Sequence, residues 1–228
     1  MVSMLSILEK ISQDKITNQS DSSQVKLFLV RIIETPSIHA LFLNTISLME
    51  HIGSRKILLT QSNEHTTEFI LRHASEEARH ALFFKKKIEY ILPNLNLGYS
   101  NHELLAGLSA KIYFQKLDAT VRKSIRQMNL SHSNRTYLNY LYTTTAIEIR
   151  ATYLYKIYNE VLIQRNFGFH LNGLLAEEEG HLAEMESEIQ RLDSESKVRL
   201  DQLLQQEEKL FRKLWQKWKD ACDLVSKP

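Results

Sequence analysis

The chain has 228 residues, with 6 Gly, 3 Pro and 1 Cys. Turns draw on Gly and Pro, so their scarcity excludes the turn-rich sandwiches, barrels and doubly wound sheets and predicts an all-α fold of long helices with few connections. A single Cys excludes a disulfide framework and any four-cysteine zinc or iron–sulfur site within the chain. Lys+Arg is 29 and Asp+Glu is 27, a formal net charge of +2, which by itself points to neither a nucleic-acid partner nor a membrane surface. The first ten residues read as neither a signal peptide nor an Arg-rich transit sequence. No apolar run reaches about 18 residues, the length that would mark a membrane span. The expected location is cytoplasmic, in keeping with the lone Cys222.

Taken in chain order, one or two short helices are expected before Pro36, with Asp21-x-x-Gln24 as a cap signal. Thr35-Pro36 reads as N-cap and first helical residue, opening a helix over 36–61. The polar run Gln61-Ser62-Asn63 ends it. A second helix is expected over 66–91, stopping before Pro93. Residues 93–99 form a loop, and Ser100-x-x-Glu103 is a capping-box pattern opening a helix over 100–128. Further helices are expected over 135–164, 171–192 and 196–224. The last has Leu200, Leu203, Leu204, Phe211, Leu214, Trp215 and Trp218 on one side, with the tryptophans read as core or dimer contacts, so a homodimer is entertained. The whole is expected to be a single domain over 1–228. Its bundle core would span 36–192, with N-terminal helices within 1–34 and a C-terminal helix over 195–225 packed on it.

Ionisable residues interrupt the apolar stripes of the four central helices. Glu50 lies among Leu43, Ile46, Gly53 and Ile57. Glu77 and His80 share a face with Ile70, Ala74, Ala81 and Phe84. Glu148 shares one with Leu141, Thr144, Ala151 and Tyr155. Glu178 and His181 lie with Leu171, Leu174, Leu182 and Met185. A buried carboxylate costs several kcal/mol unless paired, protonated or metal-bound. No Lys or Arg lies on those faces near the six to neutralise them.

Glu77-x-x-His80 and Glu178-x-x-His181 each put a carboxylate and an imidazole one turn apart. With 20 Glu and 9 His in the chain, roughly one such pair is expected by chance, so the bare motif is weak. The repeat is stronger: a helix with Glu, a short turn and a helix with Glu-x-x-His recur at offsets of 98 and 101 residues. Four carboxylates and two imidazoles at one level suit two iron or manganese ions.

This motif set resembles that of the ferritin-like dimetal-carboxylate (non-haem diiron) superfamily over about residues 36–192. The resemblance implies a ferritin-like four-helix bundle with a long crossover and additional flanking helices. It implies one metal on Glu50, Glu77 and His80 and another on Glu148, Glu178 and His181, with Glu77 and Glu178 bridging. The cofactor would be two Fe ions, with Mn/Mn or Fe/Mn as alternatives. Rubrerythrins are set aside for want of cysteines, and storage ferritins for their shorter chains. Arylamine oxygenases carry a third His one turn before the second Glu-x-x-His, where this chain has Leu174. Glu76-Glu77-Ala78-Arg79-His80 is similar to the run of multicomponent monooxygenases in which the flanking acid and Arg pair behind the ligands. Glu177-Glu178-Glu179-Gly180-His181 departs from it, with Gly180 where that Arg would stand. Length and helical content also look like aldehyde-deformylating oxygenases and small tRNA hydroxylases.

What the resemblance implies is an oxygen-activating oxygenase or oxidase acting on a small, largely apolar substrate through a bridging peroxo-diiron species. O₂ would be a co-substrate and a separate protein the electron donor, since no flavin, nicotinamide or iron–sulfur motif is present. Phe84, Ile46, Leu174 and Met185 would line the cavity. The alternatives are a ferroxidase or iron-handling protein, a dimanganese catalase, a tRNA-modifying hydroxylase, and a helical interaction domain with no functional metal. Thr152 matches the active-site Thr of the monooxygenases, and Tyr155 and Tyr137 are candidates for a redox tyrosine, against an ordinary packing role. Glu76, Arg79 and Glu177 are placed behind the ligands. His73 reads first as a satisfied core histidine, and otherwise as a hydrogen-bond partner or spare ligand. Lys85-Lys86-Lys87 reads as a solvated helix face, and Gly180 as a point where another helix comes close.

Overall fold

The computed structural model describes residues 19–61 and 63–225. Within them lie seven α-helices and no strand: α1 (Gln19–Glu34), α2 (Pro36–Thr60), α3 (Glu68–Ile91), α4 (Gly107–Ile125), α5 (His132–Gln164), α6 (Asn172–Leu192) and α7 (Ser196–Val225). The all-α bundle expected from the sparse Gly and Pro is what is found. None of these helices is long and apolar enough to cross a membrane. Helices expected before residue 19 lie outside the described residues. The Asp21 cap is corrected, because α1 is already under way at Gln19.

Proline sets two boundaries as expected. Thr35 is extended and Pro36 starts α2, while α3 ends at Ile91, two residues before Pro93. Small residues then let α2 and α3 pack closely. Ser47 Oγ donates to the Ala81 carbonyl and Ser54 Oγ to that of Ala74, each at 2.7 Å. The falling partner numbers make the pair antiparallel. α5 and α6 form a second antiparallel pair, through Tyr137 and Glu188 at one end and Asn159 and Asn172 at the other. α3 and α5 run parallel: His65, in the 3₁₀ turn before α3, meets Asn134, and His73 meets Tyr140. A parallel relation requires a crossover as long as the bundle, and α4 supplies it with 19 residues, about 28 Å of helix.

The crossover does not begin as the sequence suggests. Ser100 and Glu103 do form a capping box, but around a 3₁₀ turn, Asn101–Glu103. Leu104 follows in extended backbone and Ala106 turns left-handed at φ 53°, so α4 starts only at Gly107. Contacts with α2 explain this. Asn44 Nδ2 donates to the carbonyls of Gly98 and Glu103 at 2.8 and 2.7 Å, and Leu105 N donates to Thr45 Oγ1 at 2.8 Å. Tertiary hydrogen bonds therefore hold the segment straight where local signals favour helix. Similarly, α5 starts at His132 rather than 135, because Ser131 Oγ accepts from Asn134 N at 3.1 Å.

The apolar stripe of α7 packs on α4 and α5, and α1 lies on α2 and α5. Lys85 is no free member of a charged run: its ammonium donates to Asn44 Oδ1 and the Leu97 carbonyl, each at 2.5 Å, tying down the loop after α3.

Candidate metal centre

Four helices bring Glu50 (α2), Glu77 and His80 (α3), Glu148 (α5), and Glu178 and His181 (α6) into one interior site, each at most 8 % exposed. Ligand atoms fall into two groups, each within 4.8 Å: Glu50, Glu77, His80 and Glu178, and His73, Glu77, Glu148 and His181. Glu77 belongs to both. Glu178 sits in the first group and within 3.7 Å of His181 Nδ1. His73, taken above as a core histidine first, stands in the second group, its Nε2 2.8 Å from Glu148 Oε1. Its sequence signal was position alone, one turn before Glu77 on the same buried face.

The polar atoms separate into an inner and an outer set. The outward nitrogens are occupied: His80 Nε2 pairs with Glu177 at 2.8 Å, His181 Nε2 with Glu76 at 2.7 Å, and His73 Nδ1 with the Tyr140 hydroxyl at 2.6 Å. Arg79 then grips Glu177 with two hydrogen bonds of 2.9 and 3.0 Å and approaches Glu76 at 3.6 Å. Glu76, Arg79 and Glu177 thus stand behind the imidazoles, and each imidazole of a Glu-x-x-His helix is braced by the carboxylate of the other. Such outer partners orient ligand imidazoles.

The inner atoms lack hydrogen bonds. His73 Nε2, His80 Nδ1, His181 Nδ1, Glu77 Oε1, both oxygens of Glu148 and Glu178 Oε2 are all buried with no hydrogen-bond partner among the described residues. Close approach without a hydrogen bond means that the lone pairs and N–H vectors miss one another and converge on common points. Buried polar atoms are seldom left so. Among the described residues the imidazoles, and no Lys or Arg, lie within 4.0 Å of the four carboxylates.

Charge crowding shows in the titration behaviour. Burial, then the charges of Glu77 and Glu178, hold the Glu50 carboxyl well above the ordinary range, although Tyr155 donates its hydroxyl to Glu50 Oε1. Burial opposes protonation of the imidazoles, but the carboxylates outweigh it, carrying His73 up to about 9, His80 to about 10 and His181 to about 12. A dication in each group would replace those protons as the counter-charge. Gly53 on α2 provides clearance, since a Cβ there would lie 3.0 Å from Glu77 Oε2. The residues present therefore fit a pair of metal ions.

One side of the centre opens on an internal cavity of about 50 Å³, lined by the four carboxylates but by none of the imidazoles. That is several times the ~10–15 Å³ needed to hold one water. Its apolar wall includes Ile46, Met49, Phe114, Leu154, Phe211 and Trp218. Ile46 is where it was expected. Phe84, Leu174 and Met185 are buried but not in this wall, because the cavity lies between α2, α5 and the flanking helices α4 and α7. Tyr155 lines it, whereas Thr152, one residue on from the lining Ala151, does not. The Thr152 hydroxyl is buried with no hydrogen-bond partner among the described residues. Tyr137 stands one ring further out, stacked between Tyr140 and His65 at 6.0 and 4.3 Å. Gly180 has no atom within 4 Å of a would-be Cβ, which corrects the expected close helix approach.

The chain matches no protein-family model, no curated protein and no solved structure.

Proposed function

We propose that this centre holds two iron ions in a ferritin-like arrangement, and that the protein is an oxygen-dependent oxidase or oxygenase of a small, largely apolar organic molecule. The observation that carries the reading is the split between occupied outer nitrogens and seven hydrogen-bond-less inner atoms from three helices, with Glu50 of a fourth helix beside them. On this reading Glu50, Glu77, His80 and Glu178 hold one ion, and His73, Glu77, Glu148 and His181 the other. Mixed carboxylate and imidazole donors suit Fe(II) and Mn(II), and the apolar cavity favours an organic substrate over an iron-storage path.

When bound, such a pair supplies the redox capacity to activate O₂. The protein does the rest. Glu177 and Glu76, steadied by Arg79, accept the outward N–H of His80 and His181 and so aim the inward nitrogens at the centre, where a metal would displace their protons. Tyr155 holds Glu50 in place and can pass a proton at its Oε1. Ile46, Met49 and Leu154 exclude water and position the apolar part of a substrate beside the carboxylates. Electrons come from a separate protein.

The test begins with metal content. About two Fe per chain are expected after anaerobic reconstitution, and loss of metal in Glu77→Ala and His181→Ala. Full occupancy in both variants sinks the assignment. O₂ uptake with a chemical reductant, set against peroxide disproportionation and Fe(II) oxidation without substrate, separates an oxygenase from a catalase or ferroxidase.

A further inference from the structure

Arg150 stands two residues beyond Glu148, turned by about 200° round α5 towards α7. It is 6 % exposed and meets Glu207, 2 % exposed, through Nε to Oε1 at 3.0 Å and Nη2 to Oε2 at 2.7 Å. Nη2 also donates to Glu208. Tyr113 donates to Glu207 Oε1 at 2.8 Å, and the Phe211 ring lies 4.3 Å from the guanidinium carbon. Nη1 has no hydrogen-bond partner among the described residues. A buried ion pair is weak evidence for stability, since apolar residues of similar size often do as well. Its place in the molecule suggests another use.

Arg150 and Phe211 line the metal-side cavity, and both also line a surface groove of about 200 Å³ that runs past Gln24, Glu208, Arg212, Trp215 and Lys219. They form the partition between groove and cavity. Two further donors in the cavity wall, Thr143 Oγ1 and Trp218 Nε1, are buried with no hydrogen-bond partner among the described residues. An apolar pocket with a few convergent donors is the form of a small-molecule site.

We propose that the partition is the substrate entrance and that Arg150 recognises an organic carboxylate there. The carboxylate accepts from Nη1 of Arg150 at the floor of the groove, whose mouth also carries Lys219 and Arg212, the latter paired with Glu208 at 2.7 Å. The apolar body passes Phe211 into the cavity beside Ile46, Met49 and Trp218. The carboxylate site stands on Arg150 alone; the route onward to the metals rests on the dimetal reading above.

Trp215 lines the groove and Trp218 the cavity, and the chain has only 2 Trp, so intrinsic emission reports entry. Hexanoate and octanoate, with 1-hexanol and 1-octanol as neutral counterparts, are titrated into metal-free and iron-loaded protein. The acids are expected to bind at least tenfold more tightly than the alcohols in both forms. Arg150→Met combined with Glu207→Leu, which leaves no buried charge unpaired, should reduce the acids to the level of the alcohols. Arg212→Gln, at the exposed mouth, should weaken them several-fold without risk to the fold. Equal affinity for acid and alcohol, no binding of either, or acid binding unchanged in both variants overturns the carboxylate site. On iron-loaded protein, saturating octanoate should slow removal of iron by a chelator several-fold. An unchanged rate overturns the route to the metals while leaving the carboxylate site standing. A protein that takes up no iron but still prefers the acids loses the dimetal reading and keeps the carboxylate site.

Discussion

Glu50→Gln should change stability in opposite directions with and without metal. In the metal-free fold the Glu50 carboxyl is held above its ordinary pKa by burial, then by Glu77 and Glu178. A carboxyl whose folded pKa lies above its unfolded one costs stability at every pH above the unfolded value. At pH 7 Gln removes that cost, keeps the shape and still accepts from Tyr155. A buried charge with partial compensation is worth about 1–3 kcal/mol here, and for a chain of this size each kcal/mol moves Tm by about 2–4 °C. Metal-free Glu50→Gln is therefore expected to melt about 2–12 °C above the wild type. With metal the sign reverses. Each site filled at about 100 Kd adds about 2.7 kcal/mol, so two sites raise the wild-type Tm by about 10–20 °C. Glu50→Gln removes an anionic ligand from one group, so its rise should be about half as large. Glu77→Gln, common to both groups, should show almost none. Scanning calorimetry in EDTA and in excess Fe(II) under argon reads all six states. A metal-free Glu50→Gln less stable than the wild type, or a wild-type Tm indifferent to metal, refutes the reasoning.

Arg79→Met should leave Glu177 and Glu76 ungripped and weaken metal binding by about 10–100-fold; chelator competition reads this, and unchanged affinity would deny Arg79 its orienting role. Gly53→Ala should gain about 1 kcal/mol of metal-free stability from helix propensity, yet lose metal affinity, because its Cβ would crowd Glu77 Oε2; a rise in both would show that Glu77 yields freely. His39 is buried beside the Tyr158 hydroxyl, and burial lowers its pKa from 6.5 to about 3. Its folded form is neutral, so its contribution is intact above pH 6.5 and is lost as pH falls, by about 1.4 kcal/mol per pH unit for one proton. Urea melts between pH 7 and pH 4 should show that slope in the difference between wild type and His39→Gln, and parallel curves would contradict it.

The six residues of the paired motif were legible because each breaks an apolar stripe, and a helix face that is apolar but for one carboxylate has few physical explanations. The prolines were legible because they act on their own backbone. The start of α4 was not, since the capping box at Ser100 is satisfied by a single turn and the continuation is decided by Asn44 and Thr45, more than fifty residues away. Glu207 carries the same signature as the carboxylates of the candidate centre, standing between Leu203, Leu204 and Phe211, but its partner Arg150 is on another helix and no spacing links them. His73 was visible by position, yet a lone histidine on a buried face has many ordinary uses. Only its approach to Glu148 and its hydrogen-bond-less Nε2 single it out.

The two halves of the site repeat in backbone and differ in chemistry, and two of the differences fall on α3. His73 stands one turn before Glu77, where α6 has Leu174 before Glu178. Arg79 stands between Glu77 and His80, where α6 has Gly180. One helix thus supplies the extra imidazole and also the cation that steadies both outer carboxylates. Counting the shared Glu77 on each side, one group offers three carboxylates and one imidazole, the other two carboxylates and two imidazoles. The first is the harder and more anionic donor set. Because the carboxylates of the centre face the cavity and its imidazoles do not, a change of charge at the centre is felt first by whatever lies among Ile46, Met49 and Trp218. The imidazoles look the other way, towards Glu76, Glu177 and Arg79, the last of which is half exposed. The site thus presents its carboxylates to a largely apolar cavity and its imidazoles to a braced face linked to solvent through Arg79.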